Sequence, residues 1–126
     1  MRSSGGRRGS GDPSVGPGTL DVRKEALQAE GRIRGNIRET PVELSPYLSR
    51  LGRCRVYLKL ENLQITGSFK LRGAMNKFLS LDREERKRHL VTASSGNHGA
   101  AFAHVLKEFG ARGTIYLPEN ASPAKV

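Results

Sequence analysis

The chain has 126 residues, of which 36% are hydrophobic, and this is enough for one modest core and about one domain. Its formal net charge is +10 at pH 7, but the chain has only four phenylalanines, three tyrosines and no tryptophan to stack on bases. The composition therefore disfavours sequence-directed nucleic-acid binding, and a solvated basic surface is the simpler interpretation.

The first residues are rich in glycine, serine and arginine and contain no apolar segment. We predict a disordered tail over residues 1–20, because such a composition buries too little apolar surface to offset the entropy of ordering. It resembles neither a secretory signal nor a membrane anchor. The single Cys54 cannot form an internal disulfide and has no metal-ligating neighbours. The sequence thus predicts no metal site and a reducing, cytoplasmic environment.

Two helices are predicted in the next segment. Asp21 is a candidate N-cap, and apolar residues at helical spacing predict about four turns that reach Ile37. Ser45 followed by Pro46 predicts the start of a second, short helix that ends at Gly52. The backbone N–H at the first helical position has no partner within the helix, so proline, which lacks this N–H, is tolerated there. The pair of residues therefore indicates a helix start.

A strand and a third helix follow. Polar and apolar residues alternate over "RVYLKL", residues 55–60, which predicts a strand. A helix is predicted over about residues 68–81. Its predicted buried stripe consists of Leu71, Ala74, Phe78 and Leu81. The charged run "DREERKRH", residues 82–89, is predicted to be a solvated connection or a helix end.

The last third of the chain predicts one βαβ unit over residues 90–118. The apolar runs "LVTA" and "TIYLP" are separated by a helix predicted from about Asn97 to Phe109 and a turn at Gly110. Strand, helix and strand over so few residues predict two parallel strands with a crossover helix. A further helix is predicted to begin at Ser122 and Pro123.

The segment "ENLQITGSFKLRGA", residues 61–74, contains a lysine in unusually small surroundings. In a helix the side chain of Lys70 leans back over Thr66 and Gly67, which leave room for a flat ligand beside Phe69. The positive end of the helix dipole disfavours an ammonium group there, so this amine is suited to condense with an aldehyde. An ordinary exposed surface lysine is the alternative.

A second polar segment, "TASSGNHGA", joins the end of a strand to the start of a helix. Open α/β sheets bind ligands at this position, and backbone N–H groups at a helix N-terminus favour an anion such as a carboxylate or phosphate. Ser94, Ser95 and Asn97 add short polar side chains. Simple N-capping by Ser95 or Asn97 is the alternative, and His98 could equally be a hydrogen-bonding helix residue.

Three segments, "VYLKLENLQITGSFKLRGA", "TASSGNHGAA" and "ASPAKV", together resemble the fold type II pyridoxal-phosphate enzymes, in particular threonine/serine dehydratases and serine racemase. The resemblance covers about residues 33–126. It implies an α/β fold of the tryptophan synthase β type, with three layers around a parallel sheet. Residues 21–126 would then form an incomplete N-terminal portion that stops within the small domain.

The resemblance also implies site residues. Lys70 would hold pyridoxal 5'-phosphate as a Schiff base and act as the catalytic base, Phe69 would lie beside the cofactor ring, and Asn97 would hydrogen-bond the ring hydroxyl. Ser95 occupies the position of the second catalytic acid in serine racemase. The substrate carboxylate is expected at Ser94, Ser95, Asn97 and His98.

The implied activity is that of an ammonia-lyase (dehydratase) that converts L-threonine or L-serine into a 2-oxo acid and ammonia by β-elimination. A serine racemase-type isomerase is one alternative. An inactive truncated or partner-binding fragment is another, because the glycine-rich phosphate loop of the family is not found after Gly99. A basic nucleic-acid module is the last. The expected partner is a small amino acid, with no nucleic acid and no membrane, and the full-length form is expected to be a homo-oligomer.

Overall fold

The computed structural model describes residues 20–121, which form a mixed α/β partial domain with short strands. In chain order the helices and strands are α1 (Val22–Ile33), β1 (Val42–Leu44), α2 (Pro46–Gly52), β2 (Tyr57–Lys59), α3 (Lys70–Ser80), α4 (Arg83–Lys87), β3 (Leu90–Ala93), α5 (Asn97–Phe109) and β4 (Gly113–Tyr116). Two 3-10 turns accompany them, at Arg34–Asn36 and Glu61–Leu63.

The first two helices begin where their capping residues predict. The Asp21 side chain accepts a hydrogen bond from the Lys24 backbone at 3.0 Å and starts α1. The predicted length of α1 is wrong, because the α-helix ends at Ile33 and passes into a 3-10 turn instead of reaching Ile37. The prediction for α2 is confirmed at both ends, with the Ser45 hydroxyl accepting from a backbone N–H in its first turn.

The strands β1 and β2 pair antiparallel, with Val42 opposite Lys59 and Leu44 opposite Tyr57. The sequence predicted β2 over residues 55–60, and the strand is shorter than that. β1 was not predicted, since three residues are too few to display a period of two. Only the partner strand shows that this segment is extended.

The predicted βαβ unit is confirmed. β3 and β4 are parallel neighbours, with Val91 opposite Thr114 and Thr92 opposite Ile115. The connecting helix α5 has the predicted bounds and ends at Gly110 in the left-handed conformation, with φ +60°. β4 begins at Gly113, one residue before the predicted run.

The core lies between three helices. Its buried apolar residues are Ile33, Leu71, Ala74, Met75, Phe78, Ala101 and Val105. Three of the four residues predicted for the α3 stripe are buried, whereas Leu81 follows the end of the helix and is only partly buried. The charged run after it forms the short helix α4, whose start is fixed by reciprocal hydrogen bonds between Asp82 and Glu85.

Some predictions concern residues outside the described range. These are the disordered tail, except for Leu20, and the helix expected to begin at Ser122 and Pro123. Between residues 20 and 121 no helix has the length and apolar character needed to cross a bilayer. In the same range no group of His, Cys, Asp or Glu side chains is arranged to hold a metal ion, and Cys54 is free and exposed.

Candidate active site

Residues 61–70, here called the lysine loop, connect β2 to the first residue of α3. The loop turns through Gly67, whose φ of +67° is in the left-handed region, and the Gly67 N–H donates to the Gln64 carbonyl at 2.8 Å. The buried Ser68 hydroxyl accepts from the Lys70 backbone N–H at 3.4 Å. The turn therefore delivers Lys70 to the start of a helix, where its side chain is free of the core.

The amine of Lys70 lies beside an aromatic ring. Its Nζ is 4.9 Å from the centroid of the Phe69 ring, and 59% of the Phe69 surface is exposed. The Lys70 side chain is exposed as well. An exposed apolar ring next to an exposed primary amine offers a flat surface and a nucleophile in the same place.

Thr66 contributes a polar atom at the base of the lysine loop. Its Oγ1 is buried and has no hydrogen-bond partner among residues 20–121. Because leaving a buried hydroxyl unpaired is costly, this atom is available to pair with a water molecule or a ligand.

The second group of predicted residues lies at the junction of β3 and α5, residues 94–98, here called the serine loop. The Ser94 Oγ accepts hydrogen bonds from the Gly96 N–H at 3.3 Å and the Gly99 N–H at 3.2 Å. Its backbone N–H donates to the Tyr116 carbonyl at 3.1 Å, which ties the loop to β4. Ser94 therefore caps α5 from two residues before the N-cap position.

The structure also shows whether Ser95 and Asn97 cap α5 and whether His98 makes a hydrogen bond. The N-cap is Gly96, and in the part of the chain that the structure describes neither Ser95 nor Asn97 makes a capping hydrogen bond. N-capping by those two residues is therefore wrong. The interpretation of His98 as a hydrogen-bonding residue is confirmed, since its Nε2 lies 3.1 Å from the Thr92 Oγ1.

Gly99 allows the helix to approach the strand end closely. A Cβ at this position would lie 2.5 Å from the Ser94 carbonyl oxygen and 3.6 Å from the Ile115 side chain. Only a residue without a side chain permits this contact, so the glycine sets how near the first turn of α5 lies to the serine loop. The segment "GNHG" thus has a packing role that is visible only in the structure.

The lysine loop and the serine loop belong to helices that share one core. A cavity of about 270 Å³ is lined by Gly73, Ala74 and Lys77 of α3, by Thr92 of β3 and by His98 of the serine loop, among other residues. The three α3 residues follow Lys70 by three, four and seven positions and so lie on its face of the helix. Within the described range no hydrogen bond or ion pair joins Lys70 itself to Ser94, Ser95, Asn97 or His98.

A hydrogen-bonded network of Glu61, Arg72 and Thr40 at the start of the lysine loop was not predicted from the sequence. The Glu61 carboxylate accepts from Arg72 Nε at 2.9 Å and Nη2 at 2.8 Å, and from the Thr40 hydroxyl at 2.6 Å. The hydrogen bonds from Arg72, opposed in part by desolvation and aided by Thr40, lower the pKa of Glu61 to about 2. No period relates residues separated by 11 and 21 positions, so the pattern contained no signal for this network.

Comparison with known proteins agrees with the resemblance. Residues 33–126 match the family described as pyridoxal-phosphate dependent enzyme. The L-threonine ammonia-lyase of Thermotoga maritima is 43% identical over 108 residues, which cover 86% of this chain and 26% of that protein. A catabolic L-threonine dehydratase of Staphylococcus aureus is 44% identical over 99 residues, or 78% of this chain and 29% of the relative.

Solved structures give the same fold. The serine racemase of Dictyostelium discoideum superimposes with a TM-score of 0.76 at 42% identity, over 81% of this chain and 34% of that one. The chain thus spans roughly a quarter to a third of the length of these relatives. The matched family covers most of the chain, and the fold type II assignment made from the sequence is confirmed. The chain belongs to the family of pyridoxal-phosphate dependent enzymes.

Proposed function

We propose that this chain carries the cofactor-holding lysine and the carboxylate-binding loop of an ammonia-lyase that acts on L-threonine or L-serine. The observation that carries the proposal is the exposed amine of Lys70 at the end of a hydrogen-bonded loop, 4.9 Å from the exposed ring of Phe69. The names of the two curated relatives, a threonine ammonia-lyase and a threonine dehydratase, support the same reaction.

The residues of the lysine loop fit pyridoxal 5'-phosphate. A primary amine is the group that holds an aldehyde cofactor, and the ring of Phe69 would cover one edge of a flat heterocycle. The unpaired, buried Oγ1 of Thr66 supports a polar ligand group close to this loop. Asn97, which is exposed and makes no capping bond, would donate its amide to the ring hydroxyl of the cofactor.

The serine loop would hold the substrate carboxylate. The Ser94 oxygen already accepts two backbone hydrogen bonds, so its own O–H is left to donate to an anion. Ser95 and Asn97 add donors at the N-terminus of α5, where the helix dipole favours negative charge. His98 is held by Thr92 at the edge of the same loop. The substrate Cα would then lie between this loop and Lys70.

The chemistry expected of the chain's own residues follows. When bound, the cofactor supplies an electron sink for negative charge at the substrate Cα. Lys70 would take the Cα proton on Nζ, and the serine loop would keep the carboxylate fixed during this transfer. The β-hydroxyl would leave with a proton as water, and a water molecule would then displace ammonia to give the 2-oxo acid.

A serine racemase-type reaction is the second candidate, and Ser95 is the observation that favours it. Its half-buried hydroxyl is not used to cap α5, so it could return a proton to Cα from the side opposite to Lys70. The structural likeness to a serine racemase supports the same possibility. The products separate the two reactions, since elimination releases ammonia and racemisation gives the D-amino acid.

The proposal is tested by trapping the cofactor. The protein is incubated with pyridoxal 5'-phosphate, reduced with borohydride and mapped by mass spectrometry, with Lys77 as an internal reference on the same helix. We expect a visible absorption band before reduction and a pyridoxyl group on Lys70, both of which Lys70→Ala removes. Labelling spread evenly over the lysines, or placed on another residue in the unmodified protein, would contradict the proposal.

A further inference from the structure

An ion pair joins the start of the lysine loop to the first turn of α3, which follows the loop. Glu61 opens the loop, and Arg72 lies in the first turn of α3, two residues after Lys70. Both nitrogens of the Arg72 fork donate to the Glu61 carboxylate, at 2.9 and 2.8 Å. The side chains are 30% exposed for Arg72 and 14% for Glu61, so solvent screens this pair much less than a surface pair.

A second contact anchors Glu61 to the body of the domain. The hydroxyl of Thr40, a buried residue, donates to the same carboxylate at 2.6 Å. The Lys59 ammonium donates in turn to the Thr40 carbonyl at 2.6 Å. Because Arg72 and Thr40 lower the pKa of Glu61 to about 2, the carboxylate is charged at neutral pH. The ion pair therefore connects the first turn of α3, through Glu61, to the buried residue Thr40.

The middle of the lysine loop has an anchor of its own. The buried Gln64 amide accepts from the Arg38 N–H at 2.9 Å and the Ile65 N–H at 3.0 Å, and it donates to the Arg38 carbonyl at 2.8 Å. The lysine loop is therefore held at its start by Glu61 and at its middle by Gln64.

The N-cap residue of α3, Phe69, contributes no hydrogen bond from its side chain to the first turn. Neither Phe69 nor Lys70 is packed in the core. Arg72, at the third position of the helix, is unfavourably placed toward the helix dipole unless an anion faces it. Glu61 supplies that anion, so the ion pair adds a side-chain restraint to this turn, beside the hydrogen bond from the Lys70 N–H to Ser68 and the burial of Leu71.

We propose that Glu61 and Arg72 are positioning residues that hold the first turn of α3 so that Lys70 presents its amine to the cofactor aldehyde. This inference rests on the proposed function, in which Lys70 holds pyridoxal 5'-phosphate. The body of α3 is secured by Ala74, Met75 and Phe78 in the core, and so the helix persists without the pair. What the pair controls is the geometry of the turn that carries the amine.

The test uses Glu61→Gln, which keeps the shape of the side chain and removes its charge. Borohydride trapping of pyridoxal 5'-phosphate is compared between the parent and the variant, with Lys77 as the reference lysine. We expect trapping at Lys70 to fall about tenfold or more, since small misplacements of reacting groups cost that much, while labelling of Lys77 is unchanged. Amide hydrogen exchange at residues 69–72 should accelerate by about tenfold, independently of any cofactor.

Two further variants give controls. Glu84→Gln breaks the exposed pair between Glu84 and Lys87 on α4 and should leave trapping at Lys70 unchanged. Arg72→Lys keeps the charge but not the two-pronged contact, so trapping should be intermediate between the parent and Glu61→Gln. If Glu61→Gln does not fold, Thr40→Val removes one hydrogen bond to the carboxylate and should lower trapping at Lys70 by about threefold.

The outcomes are distinguishable. Equal trapping at Lys70 in the parent and in Glu61→Gln would overturn the positioning role and leave the proposed function intact. An equal fall in labelling at Lys70 and Lys77, together with loss of the helical circular dichroism signal, would also overturn the positioning role. The ion pair would then stabilise the whole fold. Failure to trap the cofactor at Lys70 in the parent would overturn both inferences.

Discussion

The lysine loop and the serine loop are held in place by different interactions. The lysine loop depends on side chains far apart in the sequence, with Glu61 bound to Arg72 and Thr40. The serine loop depends on neighbouring residues, since the Ser94 hydroxyl caps the helix and Gly99 lets α5 approach the strand end. A charged network can be weakened by removing one partner, whereas a close backbone contact tolerates no added atom. Substitutions should therefore destabilise the two loops in different ways.

The largest effect is expected at the close contact of the serine loop. Gly99→Ala would place a Cβ 2.5 Å from the Ser94 carbonyl oxygen, so α5 must shift from the strand end. We expect the free energy of unfolding to fall by about 3 kcal/mol, measured by urea denaturation.

The matched control is Gly73→Ala in α3, where a Cβ would have no neighbour within 4 Å. Alanine should raise the stability there by up to about 1 kcal/mol, because glycine is a poor helix former. A similar loss from both substitutions would mean that helix propensity, and not the contact with Ser94, determines the effect at Gly99.

The charged network of the lysine loop should respond to pH. The pKa of Glu61 is about 2 in the folded protein against an ordinary value of 4.5, mainly through its hydrogen bonds with Arg72. Since the folded value is the lower one, the carboxylate stabilises the fold above about pH 4.5, and this contribution is lost as the pH falls through about 2.

Glu61→Gln reveals this contribution directly. At neutral pH we expect it to lower the free energy of unfolding by about 1–3 kcal/mol, because Arg72 is left without its anion. Denaturant unfolding of parent and variant over a series of pH values should show the difference shrinking below about pH 4.5. A difference independent of pH would exclude the charge of Glu61 as its cause.

The smallest effect is expected from the cap of α5. Ser94→Ala removes the oxygen that accepts from the Gly96 and Gly99 N–H groups and should lower the stability by about 1 kcal/mol. Ser95→Ala makes no such change and should stay within about 0.5 kcal/mol of the parent in thermal unfolding. Equal effects of the two substitutions would show that the cap does not hold the serine loop.

Much of the fold could be predicted because its signals are local. The caps Asp21 and Ser45, the proline at the start of α2 and the glycine that ends α5 all act within one helical turn. The parallel pairing of β3 and β4 followed from the short distance between two apolar runs. β1 was missed because it is defined by its partner strand, and α1 was predicted too long because it passes into a 3-10 turn that contains Gly35.

The candidate site shows the same division. Lys70, Phe69, Ser94, Ser95, Asn97 and His98 were proposed from two short segments and a resemblance. Their roles stay predictions, while the structure places Lys70 beside Phe69 and shows that Ser94, not Ser95 or Asn97, makes the side-chain hydrogen bonds that cap α5. Sequence reasoning could not have distinguished these three residues, since each has a short polar side chain suited to an N-cap.

The sequence by itself determined the family, the residues at which α1, α2 and α5 begin, and the two loops that carry the polar residues. Those features follow from local spacing and from motifs of adjacent residues. Only the tertiary structure showed that Glu61 pairs with Arg72, that Thr40 donates a hydrogen bond to Glu61 and that position 99 has no room for a Cβ atom. The reason is physical: distances between residues far apart in the chain depend on how the elements pack, and no local pattern contains that information.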